Sequence, residues 1–79
     1  MSSTVSELIR ARLRIRRSLP APHVCRAARE AAGLTQKDVA DAVGVTIQAV
    51  SYWEAGLRRP RGERFDRYAE AIAALRDAA

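Results

Sequence analysis

The sequence predicts an all-α chain. Apolar residues recur at spacings of three and four along most of its length, glycine and proline punctuate the pattern, and no run alternates as a strand would. Seventy-nine residues build one small core. Trp53, Phe65, Tyr52 and Tyr68 are the aromatics, so alanine, valine and leucine must supply most of the packing, which suits helices. The expected organisation is a basic amphipathic helix with its linker at 1–20, followed by a compact unit at 21–79.

Thr4-Val5-Ser6-Glu7 has the spacing of a capping box, in which hydroxyl and carboxylate satisfy the free amides of a helix start. A first helix is therefore expected at 4–17, with Val5, Leu8, Ile9 and Leu13 at helical spacing. Arg10, Arg14 and Arg17 lie on its other faces, and Pro20 and Pro22 stop it. Pro22 suits the first turn of a second helix, where a missing N–H does no harm. That helix runs to about Ala32 with Cys25, Ala28 and Ala32 on one stripe. Gly33 supplies a left-handed end, after which Leu34 is expected to fold back onto the core.

Thr35-Gln36-Lys37-Asp38 repeats the capping spacing and opens a short helix that buries Val39, Ala40 and Val43 before Gly44 breaks it. Thr46 then caps a fourth helix carrying Val50 and Trp53 inward and ending at Gly56. Leu57 to Arg61 is a basic loop whose Pro60 cannot continue the helix before it. From about Glu63, Phe65, Tyr68, Ala69, Ile72 and Leu75 form the apolar stripe of a last helix that closes the core.

The net charge is +5, and thirteen of the fourteen cations are arginine, Lys37 being the exception. Such a balance fits a polyanionic partner, because the planar guanidinium fork matches phosphate and guanine edges. A merely soluble basic surface is the alternative. Cys25 is alone, so an intramolecular disulfide and a cysteine metal cage are both excluded, and a reducing, cytoplasmic setting is expected. No apolar run is long enough to cross a bilayer, and Met1 to Pro20 carries arginines where a signal peptide needs an unbroken apolar stretch.

Residues 33–56 read GLTQKDVADAVGVTIQAVSYWEAG. With Gly33-Leu34-Thr35-Gln36, a turn at Gly44, Val50 and Trp53 as core residues, Glu54, and Gly56 before a basic loop with Pro60, this segment resembles the Cro/phage-repressor (XRE-type) helix-turn-helix family. The resemblance covers about residues 22 to 76 and leaves the first helix unexplained. It implies a five-helix, lambda-repressor-like helix-turn-helix domain with an extra N-terminal amphipathic helix. The implied function is a sequence-specific, double-stranded DNA-binding transcriptional regulator, a repressor more often than an activator. It further implies that Gln36 contacts the DNA backbone and sometimes an outer base, and that Arg29 and Glu54 form a stabilising, orienting pair first and a phosphate contact second.

Independently of the family, two short capped helices joined by a glycine turn let the second protrude into a groove wide enough for an α-helix. On the helix at 47–55, Val50 and Trp53 face inward, while Ile47, Gln48, Ser51 and Tyr52 form one outward surface. Gln48 is the leading candidate for base recognition, since its amide can give and accept one hydrogen bond each with adenine. Ile47 can touch a thymine methyl. Tyr52 can do the same or reach a phosphate, and Ser51 can meet any base edge or none. Thr35, Gln36 and Thr46 at helix starts, and Arg58, Arg59 and Arg61 in the basic loop, are candidate backbone contacts. For each of them an ordinary cap or solvated side chain is the competing explanation.

An enzyme is not expected: His23 and Cys25 are two apart and fall on different helix faces, which suits neither a nucleophile–base pair nor zinc. No cofactor, metal or small-molecule ligand is implied. The alternative function is an antitoxin or protein-interaction module with DNA binding secondary, and the apolar stripe of the first helix keeps that reading open. A homodimer would offer two reading heads to half-sites about one helical turn apart.

Overall fold

The computed structural model describes residues 4–78, with side chains described for all of these but 14–18. Among the described residues five helices follow one another: α1 (Val5–Ser18), α2 (Pro22–Ala31), α3 (Gln36–Val43), α4 (Ile47–Ala55) and α5 (Gly62–Ala78). Among the described residues there is no strand.

Each helix starts and stops where its local chemistry dictates. Thr4 caps α1 through a reciprocal box with Glu7, and Thr35 caps α3 through the same arrangement with Asp38. Thr46 caps α4, its hydroxyl accepting from the Ala49 amide at 3.1 Å. α2 has no side-chain cap and opens on Pro22, whose missing N–H is one that a first turn leaves unused. Gly44 ends α3 at φ 84° with its amide 2.8 Å from the Ala40 carbonyl, a left-handed position that any side chain would strain.

The core is assembled from α2 to α5: Cys25, Val39, Ala40, Val43, Val50, Trp53, Tyr68, Ile72 and Leu75 are all buried and form one cluster. Trp53 packs a tilted ring against Tyr68, with centroids 4.8 Å apart. Full burial of a side chain such as Val50 or Ile72 stabilises by about 1.5–3 kcal/mol, so a core this small needs every one of them. Burial pushes the Cys25 thiol and the Tyr68 hydroxyl upward in pKa, so both stay protonated inside it.

Two local expectations fail. Leu34 remains 38% exposed instead of folding back. Its carbonyl is held by Arg29 Nη1 at 2.9 Å and the capping box of α3 begins at the next residue, so the chain turns at the surface. Ala32 is likewise exposed, because α2 has ended and it serves as the C-cap.

α1 rests on α5, with Arg12 paired to Asp66 where the two helices meet. Its apolar residues are only partly covered there: Leu8, Ile9 and Leu13 stay about half exposed and Val5 more so. The side chains of Arg14 and Arg17, expected on the other faces of this helix, lie outside the described residues.

Candidate nucleic-acid interface

α3, the turn at Gly44 and α4 form a helix-turn-helix whose second helix is anchored from beneath. Val50 and Trp53 point into the core, and Glu54 is buried beside them with 8% exposure. Glu54 accepts from Arg29 twice, Nε at 2.7 Å and Nη2 at 2.9 Å, and from Gln36 Nε2 at 3.1 Å. Because Arg29 also holds the Leu34 carbonyl, one guanidinium ties α2, the α2–α3 turn and α4 together. Burial pushes the Glu54 carboxyl up, yet the hydrogen bonds from Arg29 and Gln36 outweigh it and hold the group below the usual glutamate value. Glu54 is thus a fixed anion.

The opposite side of α4 is open. Ile47 is 47% exposed, Gln48 is exposed, and Ser51 and Tyr52 are half-buried. Gln48 and Tyr52 stand one turn apart and are joined, Gln48 Nε2 donating to the Tyr52 hydroxyl at 2.8 Å. The Arg58 guanidinium lies over the Tyr52 ring, 5.4 Å from its centroid. These interactions link the outward face of α4 to the basic loop.

Between α4 and that loop runs an open groove of about 1010 Å³, with Thr46, Gln48 and Tyr52 on one side and Arg58, Arg59, Arg61 and Arg64 on the other. Most described cations elsewhere are paired: Arg26 with Glu30 at 3.0 Å, Lys37 with Asp41 at 2.7 Å, Arg67 with Glu63 at 3.8 Å, Arg12 with Asp66 and Arg29 with Glu54, which leaves Arg10 and Arg76. Among the described residues, the four groove arginines have no carboxylate within 4.0 Å. Unbalanced positive charge is therefore concentrated beside the exposed face of α4.

The residues singled out from the sequence fall into three places. Ile47, Gln48, Ser51 and Tyr52 share the outward face, and Arg58, Arg59 and Arg61 border the groove beside it. Thr46 is at its edge, its hydroxyl used as the cap of α4. Thr35 and Gln36 stand at the start of α3, the first using its hydroxyl on the Asp38 amide and the second turned toward Glu54. Sequence reasoning missed Arg64. It sits three residues after Arg61, one turn into α5, and that spacing was the available signal.

Among the described residues no group of three His, Cys, Asp or Glu side chains is placed to hold a metal ion, and no helix is long and apolar enough to cross a membrane.

The fold and this face define a DNA-binding regulator of the helix-turn-helix class. A family model described as helix-turn-helix matches residues 26–73, well over half of the chain. The chain belongs to that family, of the Cro/phage-repressor (XRE) type. Neither the comparison with curated proteins nor that with solved structures found a match.

Proposed function

We propose that this chain is a repressor that reads double-stranded DNA sequence-specifically, with α4 lying in the major groove. The observation that carries this reading is the exposed Ile47–Gln48–Tyr52 face of α4 bordered by four unpaired arginines. Gln48 reads an adenine through its amide, and the Tyr52 hydroxyl holds that amide in orientation before DNA arrives. Ile47 packs on a thymine methyl, and Ser51 and Tyr52 complete the base-facing surface.

Around this head, Arg58, Arg59, Arg61 and Arg64 grip one strand's phosphates and set the register without reading sequence. Thr35, Gln36 and Thr46 meet the backbone at the starts of α3 and α4. Gln36 gives one amide hydrogen to Glu54 and keeps the second for a phosphate. Arg29 and Glu54 touch no DNA in this scheme and act by holding α4 at a fixed angle to α3. A copy bound over a promoter blocks transcription by occupancy.

The experiment is selection from a random duplex pool, followed by band shifts of the winner and of a scrambled duplex at about 50 and 200 mM salt. The proposal expects a shared motif, a preference for the winner at both salts, and weaker binding of both duplexes at the higher salt. A pool that yields no motif overturns sequence-specific reading.

A further inference from the structure

The loop that borders the duplex-facing groove has a second side. Against it lies a cavity of about 310 Å³ walled by Leu19, Pro20, Pro22 and Trp53, with the buried Cys25 and Tyr68 at its inner end. Trp53, Gly56, Arg58, Arg59 and Pro60 line this cavity and the groove alike, so the 56–60 segment is a partition with one space on each side.

The cavity falls at the lower end of the size range of small-molecule sites. Its walls are mostly apolar, and two prolines and an indole offer flat faces to a ring or a short chain. Among the described residues the Tyr68 hydroxyl is fully buried with no oxygen or nitrogen to bond to. The Cys25 thiol lies beside it, and that thiol is itself turned to the Pro20 carbonyl at 3.6 Å. The inner end therefore holds an unspent donor, which a guest's oxygen or ring face can take up, and no charge.

Positive charge lies only on the loop side of the cavity, in Arg58 and Arg59. Arg58 lies over the Tyr52 ring, whereas among the described residues Arg59 has neither a carboxylate within 4.0 Å nor an aromatic ring for a partner. A guest that satisfies both ends is apolar inside and anionic at Arg59.

We propose that this cavity binds a small amphipathic carboxylic acid, its ring or short chain against Trp53 and its carboxylate held by Arg59, and that the bound acid weakens duplex binding by taking Arg59 from a phosphate. The coupling rests on the duplex reading proposed above, and the binding of the acid does not. Because the two ligands share one guanidinium, duplex must weaken the acid by the same factor.

The test uses the full chain and sodium phenylacetate, with phenethyl alcohol and inorganic phosphate as comparisons, at constant ionic strength made up with chloride. Trp53 is the one tryptophan of the chain and lines the cavity, so its emission reports occupancy. Phenylacetate should give a saturable change with a dissociation constant on the order of a millimolar or tighter, as a ligand of about ten heavy atoms allows. Phenethyl alcohol, which keeps the ring and lacks the charge, should bind about tenfold more weakly, and phosphate should leave the emission unchanged. Arg59→Gln should weaken phenylacetate by about tenfold. Leu19→Ala, which alters the cavity wall and not the groove, should weaken it several-fold with duplex affinity unaltered. In fluorescence anisotropy, near-saturating phenylacetate should lower duplex affinity by about fivefold or more, and Arg59→Gln should abolish that effect.

No saturable change with phenylacetate, equal binding of the alcohol, or an unchanged affinity in Arg59→Gln or in folded Leu19→Ala overturns the assignment. So does an emission change with phosphate alone, which marks a bare anion contact. Arg59 is exposed, so its variant keeps the test decisive if Leu19→Ala loses its fold by circular dichroism. Phenylacetate that binds yet leaves duplex affinity untouched overturns the coupling. Failure of the unaltered chain to bind duplex removes the reading beneath the coupling, and the Trp53 titration still decides the cavity.

Discussion

Arg29 and Glu54, twenty-five residues apart in the chain, form a two-pronged ion pair at 2.7 and 2.9 Å with side chains 11% and 4% exposed. α2 and α4 contribute one partner each, and Gln36 adds α3 to the same carboxylate. The pair fixes the angle of α4 to the rest of the fold. In the reading proposed above, that angle decides whether the outward side chains of α4 reach a groove together.

Removing either partner leaves a nearly buried charge without compensation. Arg29→Ala or Glu54→Ala should cost about 3–5 kcal/mol in urea unfolding. The double variant should cost clearly less than the sum of the two, because neither charge is then stranded. Additive losses would mean that the two groups do not depend on each other.

The pair also gives stability a pH dependence of known sign. Hydrogen bonds from Arg29 and Gln36 hold Glu54 below its unfolded value despite burial, so its contribution is present above about pH 4.3 and is lost as pH falls through the lower folded-state value. Urea midpoints measured from about pH 7 to pH 3 should show the unaltered chain losing its advantage over Glu54→Gln within that acid window. Asp38, whose pKa is lowered by its hydrogen bonds to Thr35, titrates in both chains and cancels in the comparison. Parallel curves would contradict the assignment.

The turn between α3 and α4 relies on Gly44 at φ 84°. A Cβ there would lie 3.4 Å from Arg67 Nη1, the mobile tip of a long side chain, so backbone strain and not collision dominates. Gly44→Ala should destabilise by roughly 1–2 kcal/mol in thermal or urea unfolding, and Gly44→Asn by less. Equal stability of Gly44→Ala and the unaltered chain would show that the turn relaxes to another conformation.

Much of this architecture is legible in the order of residues because its causes are local. Thr4-x-x-Glu7 and Thr35-x-x-Asp38 announce helix starts, Gly44 and Gly56 announce ends, and Val39, Val43, Val50, Trp53 and Ile72 fall at the spacing of buried faces. Pairings between distant elements are not legible in that way. Nothing in the run around Arg12 says that it meets Asp66, and Leu34 has the look of a core residue although Arg29 holds its carbonyl at the surface. Gln36 reads as a free amide at a helix start, whereas its orientation depends on a carboxylate eighteen residues later. The candidate interface is nearly whole in the sequence because α4 supplies its face from consecutive turns. Arg64 escapes because its place in the groove depends on how α5 packs.

The Gln48–Tyr52 hydrogen bond has its own consequence. Tyr52→Phe removes the acceptor of the 2.8 Å bond but keeps the ring under Arg58. It should weaken binding to the preferred duplex by about 0.5–1.5 kcal/mol by releasing the glutamine amide, with scrambled duplex scarcely affected. An equal loss on both duplexes would place Tyr52 against phosphate and not in base reading.

The most direct measurement compares Gln48→Ala with the unaltered chain on the selected duplex and on each of its single-base variants. The preference for the favoured base at one position should collapse, with about 1–3 kcal/mol lost on the best site and the other positions still ranked as before. A ranking left intact at every position would contradict base reading by Gln48 from the exposed face of α4.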